Sequence, residues 1–289
     1  MVKFFVLSSF IVGFYKSSIV FLYFLVESHN FTMYFQKGFF MINSNTFSNF
    51  NSKYPIYADL HTHSISSGHG SEDTITDMIR CASESGLSLF GISDHGPATS
   101  SSAKPSYFQS LKLADRDRFG IRVLYGTELN IINTAGDVDL DDEILSALDY
   151  AIISIHPPIF KPYHDKDLSS AYIRAMDHPK VRFLGHIDDA RFPVDFECLL
   201  EIAKEKHVYP EINNGSLMPD AYRINGQENC RRILSICKKL DLPVLLSSDS
   251  HGKKNIGNMQ YIFPLLEELD FPAHLVLNSD LSALSEIIR

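Results

Sequence analysis

Cysteine is scarce in this sequence, with four residues among 289 and no CxxC pair. Cys81, Cys198, Cys230 and Cys237 fall in segments with helical patterns. Such spacing predicts neither a disulfide framework nor a cysteine-based zinc site. We therefore expect four reduced thiols, buried where helices pack.

Clusters of lysine and arginine are also absent. The chain has 26 basic and 35 acidic residues, and no stretch concentrates the basic ones, so a nucleic-acid partner is not expected. The hydrophobic fraction of 45% is enough for a large core. One (β/α) barrel of about 200 to 250 residues would account for most of the chain. We assign residues 55–289 to it and residues 1–54 to an apolar N-terminal extension and linker.

Residues 4–26 are almost wholly apolar and aromatic, and this segment is long enough to span a bilayer. However, Lys16 lies at their middle, and a central lysine costs about 2.5 to 3.5 kcal/mol on insertion scales. No A-x-A-like cleavage site follows, and translation could instead start at Met33 or Met41. Three interpretations stay open: a membrane anchor, a secretion signal, or an extension that the folded domain does not need. We expect a cytoplasmic protein unless residues 4–26 anchor it.

From residue 57 onward, short β-branched or aromatic runs alternate with helical patterns. The predicted strands are residues 57–60, 89–93, 122–125, 150–155, 181–184, 208–212 and 244–247. This alternation is typical of parallel strands with helices outside them. We predict an α/β fold, specifically a distorted (β/α)7 TIM-like barrel, in which the carboxyl ends of the strands meet at one rim.

Potential metal ligands follow these predicted strands. They are His61, His63, His69, His95, Glu128, His156, His186, Asp249 and His251. In the His61-x-His63 pair, alternate residues of an extended chain point the same way, so both imidazoles can reach one ion. Histidines gathered in a cleft favour a bound cation, and imidazole favours zinc, manganese or iron over magnesium or calcium. Of the other five histidines, only His164 lies in a loop that could reach the rim.

Four motifs in this set resemble those of a known family. They are DLHTH at 59–63, SDHG at 93–96, GTE at 126–128 and SDSH at 248–251. Over most of the chain they resemble the strand-end motifs of the PHP (polymerase and histidinol phosphatase) family, and its small stand-alone phosphatases in particular. The resemblance implies a metal-dependent phosphoesterase that hydrolyses phosphate monoesters, as a histidinol phosphatase does, through attack of a metal-bound hydroxide.

The resemblance also implies a centre of three divalent ions, zinc first and manganese or iron as alternatives. The first ion would be held by His61, His63, Glu128 and Asp249, the second by Glu128, His156 and His186, and the third by His69, His95 and His251. Seven neutral imidazoles and two carboxylates offset only about two of the six positive charges of such a centre. A small phosphorylated, anionic substrate is therefore expected.

Two residues are candidates for direct work on the substrate. The leaving alcohol could receive its proton from Asp249, from a nearby histidine or from a metal-bound water. Arg223, in the loop after the sixth predicted strand, could hold a phosphate oxygen. Asp59 and Asp94 lie beside ligand histidines and could either orient imidazoles or cap turns.

Two other functions are compatible with part of the pattern. An amidohydrolase-type barrel also begins with an HxH motif, but it commonly has a modified lysine at the fourth strand, where this sequence has His156. A noncatalytic metal-binding PHP module would be expected to have lost ligands, and none is substituted here. We expect the loops 97–118 and 157–168 to set the substrate. Formation of a homo-oligomer is left open.

Overall fold

The computed structural model describes residues 53–157, 159–161 and 166–289, and the backbone of four short strands before residue 35. It divides into two compact units, Met1–Asn43 and Ser44–Arg289. In the first unit two antiparallel pairs form, β1 (Val12–Tyr15) with β2 (Ser18–Phe21) and β3 (Tyr23–Glu27) with β4 (Asn30–Tyr34). Most of the predicted anchor and linker lies outside the described residues. Within the described part, no helix is long and apolar enough to cross a membrane.

The second unit consists of short strands joined by helices and loops. Its strands are β5 (Ala58–Asp59), β6 (Thr62–His63), β7 (Leu89–Ile92), β8 (Asp117–Arg118), β9 (Ile121–Tyr125), β10 (Thr127–Asn130), β11 (Ala151–Ser154), β12 (Val181–Leu184), β13 (Tyr209–Asn213), β14 (Leu245–Ser247) and β15 (Ser250–His251). One sheet has the order β5-β7-β9-β8, and another the order β10-β11-β12-β13-β14. All these neighbours are parallel except β8 and β9. The predicted parallel α/β fold is therefore confirmed.

The helices are α1 (Ile75–Glu84), α2 (Pro105–Ser110), α3 (Asp142–Leu145), α4 (Ser169–Ala175), α5 (Phe196–Glu205), α6 (Gly226–Leu240), α7 (Phe263–Glu268) and α8 (Leu281–Ile288). Helix α1 shows how the local sequence sets an end. Thr74 caps it by accepting a hydrogen bond from the Asp77 backbone, and the Asp77 carboxylate accepts one from the Thr74 backbone in return. This reciprocal pair satisfies two donors that the first turn leaves free.

The strands form separate sheets rather than one closed seven-stranded barrel. In the described part of the chain, no strand pairing joins β14 to β5. At the carboxyl end β6 and β15 make a parallel pair instead. Further down, the Asn278 amide fills the gap: its nitrogen donates to the carbonyls of Ala58 and Leu246, and its oxygen accepts from the Leu246 backbone. One side chain thus replaces several hydrogen bonds of a backbone ladder.

The core lies on both faces of the strands. The larger hydrophobic cluster packs helices against the sheets, and a smaller one contains Tyr150, Phe183 and, from α8, Leu284 and Ile288. The Tyr150 hydroxyl donates to the Leu60 carbonyl at 2.5 Å. A Cβ on Gly91 would lie 2.2 Å from that hydroxyl, so glycine is required there. The interior between the sheets is therefore filled by side chains.

The cysteines follow the prediction only in part. All four are free thiols, and Cys230 and Cys237 are buried in α6 as expected. Cys81 is only partly buried, and Cys198 is exposed. The expectation of a buried Cys198 is wrong because α5 turns its opposite face, with Leu199 and Ala203, toward the core.

Candidate metal centre

Seven of the nine predicted metal ligands lie at the carboxyl end of a strand or within three residues after it, whereas Glu128 lies inside a strand and His69 lies in the loop after β6. His63 lies on β6, and His61 directly precedes that strand. On the neighbouring strand β15, His251 lies on the strand and Asp249 directly precedes it. Two of the nine, His186 and Asp249, have left-handed backbones with φ of 27° and 52°. Non-glycine residues in sparsely populated backbone regions cost about 1 to 3 kcal/mol each and cluster at functional sites.

Glu128 lies at the centre of this group. Five histidine nitrogens lie close to its carboxylate oxygens: His95 Nδ1 at 2.6 Å, His186 Nε2 at 2.8 Å, His156 Nε2 at 3.3 Å, His61 Nε2 at 3.4 Å and His63 Nε2 at 3.6 Å. Glu128 was predicted to follow the third strand, but it lies within β10, a separate strand. The chain changes sheets at Gly126, where a Cβ would lie 2.7 Å from the Tyr150 ring.

Asp249 connects the histidines to Arg223. Its Oδ1 lies 3.2 Å from His63 Nε2 and 3.7 Å from His61 Nε2. Its Oδ2 accepts hydrogen bonds from Arg223 at 2.7 Å and from the Asn213 amide at 3.0 Å. One oxygen of Asp249 therefore faces the histidines, while the other is fixed by hydrogen bonds from Arg223 and Asn213.

Three groups of residues could each hold an ion, because the ligand atoms within each group lie within 4.8 Å of one another. The groups are His61, His63 and Asp249; His95, Glu128 and His156; and His63, His95 and His251. The first group matches three of the four ligands expected for one ion. The other two divide the residues differently from the expected arrangement, because His95 lies beside Glu128. His69 and His186 enter none of the groups. His69 is exposed, with its ring centre 4.8 Å from that of His95, and His186 Nε2 lies 2.8 Å from Glu128.

Several of these donor atoms are buried and have no hydrogen-bond partner. They are the Nε2 atoms of His61, His63, His95 and His251, Nδ1 of His95 and Oε2 of Glu128; the last two lie 2.6 Å apart but not in hydrogen-bond geometry. Buried polar atoms are hydrogen-bonded in the large majority of cases, and each exception needs an explanation. Imidazole nitrogens and a carboxylate directed at one small volume are a donor set for divalent transition metals. The residues present therefore fit metal ions.

Glu211, to which we assigned no role from the sequence, positions two of the histidines. Its Oε1 lies 2.5 Å from His61 Nδ1 and accepts a hydrogen bond from Ser247, while its Oε2 accepts the His186 backbone N–H at 2.7 Å. A carboxylate on the far nitrogen of a ligand histidine fixes the ring and its tautomer. The signal in the sequence was an acidic residue inside the short strand β13, between Pro210 and Ile212.

The two aspartates of uncertain role are now distinguished. Asp94 accepts hydrogen bonds from Ser64, Tyr107 and Ser67, and the Ser67 hydroxyl also lies 3.0 Å from His63 Nδ1. It therefore acts on His63 through Ser67. Asp59 instead accepts from the Ser248 hydroxyl and the Gly257 backbone, which fastens the loop that carries Asp249.

The charges of the two central carboxylates depend on the histidines. Burial by itself would raise the pKa of Glu128, but His156, His61 and His95 outweigh it and lower that pKa well below its usual value. Burial and His61 act in the same opposed way on Asp249, whose pKa is also lowered well below its usual value. Both groups are therefore carboxylates, the form that binds metal.

The histidines respond in opposite directions. Burial would lower the pKa of His61, but the surrounding carboxylates, Glu211 first, raise it well above its usual value. Burial and the imidazoles of His95 and His251 lower the pKa of His63 well below its usual value. His63 is thus neutral and able to act as a ligand, whereas His61 must release a proton when a metal binds.

Arg223 is mostly buried rather than solvated, with 15% of its side chain exposed. Its guanidinium donates to Asp249, Asn213 and Ser216. It lines a chamber of about 170 Å³ together with Glu128, Asp249 and the surrounding histidines. A larger chamber of about 420 Å³ lies beside it. His164, which could have reached this rim, lies outside the described residues.

These features define an α/β protein with a candidate metal centre at the ends of parallel strands. The chain belongs to the PHP domain family, whose profile matches residues 59–215. It is 36% identical to a probable phosphatase of Clostridium acetobutylicum over 80% of this chain and 93% of that protein. A probable phosphatase of Clostridium novyi is 35% identical over 77% of this chain and 90% of its own length.

A solved structure shares the fold. Histidinol phosphate phosphatase from Lactococcus lactis, complexed with zinc, L-histidinol and phosphate, aligns with a TM-score of 0.53. The alignment covers 74% of this chain and 94% of that one, at 20% identity. The family resemblance seen in the four strand-end motifs is confirmed by the family profile and by the two probable phosphatases.

Proposed function

We propose that this phosphatase of the PHP family hydrolyses phosphate monoesters at the cluster centred on Glu128. The observation that carries the proposal is the set of buried donor atoms without hydrogen-bond partners at the strand ends. Relatives described as probable phosphatases, aligned over most of their lengths, support the reaction class.

The proposed ligands are the nine residues already identified, which would hold up to three divalent ions. Zinc is the first candidate because imidazole dominates the donor set, and the L. lactis structure contains zinc. When bound, such ions supply Lewis acidity that stabilises charge on the phosphoryl oxygens and makes water a better nucleophile. Glu128 would help to hold more than one ion, because its two oxygens face different histidines.

Phosphate is the substrate group that the charges favour. A loaded centre would stay cationic, and Arg223 and Arg191 line the same inner chamber. Both guanidiniums are already oriented by carboxylates, Arg223 by Asp249 and Arg191 by Asp189. An oriented guanidinium can bind two oxygens of a phosphate.

Asp249 is proposed as a metal ligand and as the group that orients Arg223. Its lowered pKa makes the ionised form the resting state. This suits a ligand better than a proton donor, so among the three sources considered for the leaving-group proton we favour water. The Arg223 role in phosphate binding rests on its place in the inner chamber.

The test is hydrolysis of p-nitrophenyl phosphate by the full chain after reconstitution with zinc or manganese. His63→Ala is expected to abolish turnover, whereas His274→Ala, at an exposed histidine far along the chain, should keep it. Equal activity of the two variants would refute the assignment of this cluster. Metal binding without hydrolysis of any phosphate ester would favour the noncatalytic module instead.

A further inference from the structure

The two chambers at the strand ends share part of their walls. The shared residues are His69, His95, His156, Pro157 and Tyr222. The inner chamber contains the proposed metal ligands, so a phosphate bound there would direct the rest of its ester toward the outer chamber. The outer volume of about 420 Å³ falls in the range of about 300 to 1,000 Å³ that is usual for small-molecule sites.

Among the described lining residues, the carboxylates and guanidiniums belong to the inner chamber. Glu128, Asp189, Arg191, Arg223 and Asp249 all line it. Apart from the shared histidines, the described residues that line the outer chamber are uncharged: Gly68, Thr99, Ser100, Ser101, Pro157, Ile159 and Tyr222. A charged group on the leaving alcohol would lose water there without gaining an ionic partner.

The Arg191 guanidinium, which stacks on a shared wall residue, already has an ionic partner. Arg191 forms a fork with both carboxylate oxygens of Asp189. Its guanidinium carbon lies 4.1 Å from the centre of the Tyr222 ring. Tyr222 is 69% exposed and lines the outer chamber, so it presents an aromatic surface there.

The opposite wall is fixed by backbone contacts. A Cβ on Gly68 would lie 2.3 Å from the Ser101 carbonyl carbon, so the two loops touch closely. Ser102 donates to the His95 carbonyl, and the Ala103 backbone donates to the Ser66 carbonyl at 2.9 Å. This wall of the chamber is therefore fixed without a ligand.

We propose that the outer chamber binds the leaving group and selects phosphate monoesters whose alcohol is uncharged and has an apolar or aromatic body. This inference rests on the proposed phosphatase function. The Tyr222 ring and Ile159 supply apolar contact, and the hydroxyls of Ser100 and Ser101 can bond to a neutral polar group. An ammonium group, such as that of histidinol, finds no carboxylate among the described residues of this chamber.

A matched set of esters tests the proposal. The set is 3-phenylpropyl phosphate, its 2-amino derivative and its 2-carboxy derivative, which share the phenylpropyl chain and differ in the charge of the group on carbon 2. We expect kcat/KM of the zinc-loaded full chain to be at least about tenfold higher for the neutral ester than for either charged one. Equal or higher kcat/KM for the amino ester, or for histidinol phosphate, would overturn the inference while leaving the phosphatase function intact.

Binding provides a readout that does not depend on turnover. The corresponding phosphonates, which cannot be hydrolysed, should bind in calorimetry with the same order of affinity. If the neutral phosphonate binds best but no ester is hydrolysed, the proposed function fails and the selectivity of the chamber stands. If all three phosphonates bind equally, the selectivity is refuted.

Ile159→Asp is the sharpest variant, with Ile159→Asn as its uncharged control of the same size. Adding a carboxylate should raise kcat/KM for the amino ester relative to the neutral ester by at least about tenfold over the Asn variant. The same ratio in both variants would contradict contact between Ile159 and the leaving group. Tyr222→Ala should lower kcat/KM for the neutral aromatic ester, whereas Tyr222→Phe should preserve it.

Discussion

The interior between the sheets and the carboxyl ends of the strands differ in whether their buried polar atoms have hydrogen-bond partners. Between the sheets, most buried side chains are apolar, and the Tyr150 hydroxyl and the Asn278 amide are hydrogen-bonded to backbone groups. At the carboxyl ends, buried donor atoms of His61, His63 and Glu128 have no hydrogen-bond partner. Unsatisfied groups of this kind weaken a fold unless something binds them. The interior thus stabilises the fold, whereas the carboxyl ends are arranged for binding.

Changing Glu128 should have the largest effect on function. Glu128→Gln keeps the shape but removes the charge at the centre of the five histidines. We expect kcat/KM to fall by about a thousandfold, as when a group that stabilises the transition state is lost, together with bound metal. Glu228→Gln, at an exposed position of α6, is the control. Wild-type turnover in Glu128→Gln would contradict the central place given to this residue.

Changing Leu284 should affect the stability of the interior rather than the carboxyl ends of the strands. Leu284 is fully buried in α8, so Leu284→Ala should lower the free energy of unfolding by about 2 to 5 kcal/mol. Denaturant unfolding measures this, with Leu113→Ala as a control at an 81% exposed leucine. Because this residue lies away from the ligands, kcat at low temperature should stay near the wild-type value. Loss of kcat without loss of stability would mean that the interior and the carboxyl ends do not have separate roles.

Removal of metal should weaken the whole unit. Ions that satisfy the buried donor atoms bind only the folded state, so zinc at a hundred times its dissociation constant should stabilise the protein by about 2.7 kcal/mol. Differential scanning calorimetry with and without a chelator measures this. In Glu128→Gln the added zinc should raise the melting temperature much less. Equal effects of zinc on both proteins would place metal binding elsewhere.

Changing Glu211 should have the smallest effect of the four. Glu211→Gln leaves all nine proposed ligands in place but weakens the contact that fixes His61. Outer partners of this kind are worth about 10- to 100-fold in metal affinity. Competition with a fluorescent chelator measures that affinity, and Glu201→Gln on the exposed face of α5 is the matched control. Unchanged zinc affinity would show that His61 does not need Glu211.

Much of this arrangement could be predicted from the sequence because it follows from periodicity. Alternating strand and helix patterns located the strands to within about two residues, and the residue after each strand pointed to the rim. His61, His156 and His251 were found in this way, and the structure brings them to one region.

The remainder depends on contacts between residues far apart in the sequence. The strands β6 and β15 are two residues long, too short for any pattern, and exist because they pair with each other. Asn278 fills a gap between strands that is visible only after folding. Glu211 looked like an ordinary strand residue until His61, 150 positions away, was placed beside it.

The most direct test of the account is the zinc content of the full chain. Elemental analysis after reconstitution and removal of loosely bound metal should find about three equivalents per wild-type chain, since the nine proposed ligands supply about three donors per ion. Glu128→Gln should lose at least one equivalent. Less than about one equivalent in the wild type, or no loss in the variant, would contradict a metal centre built around Glu128.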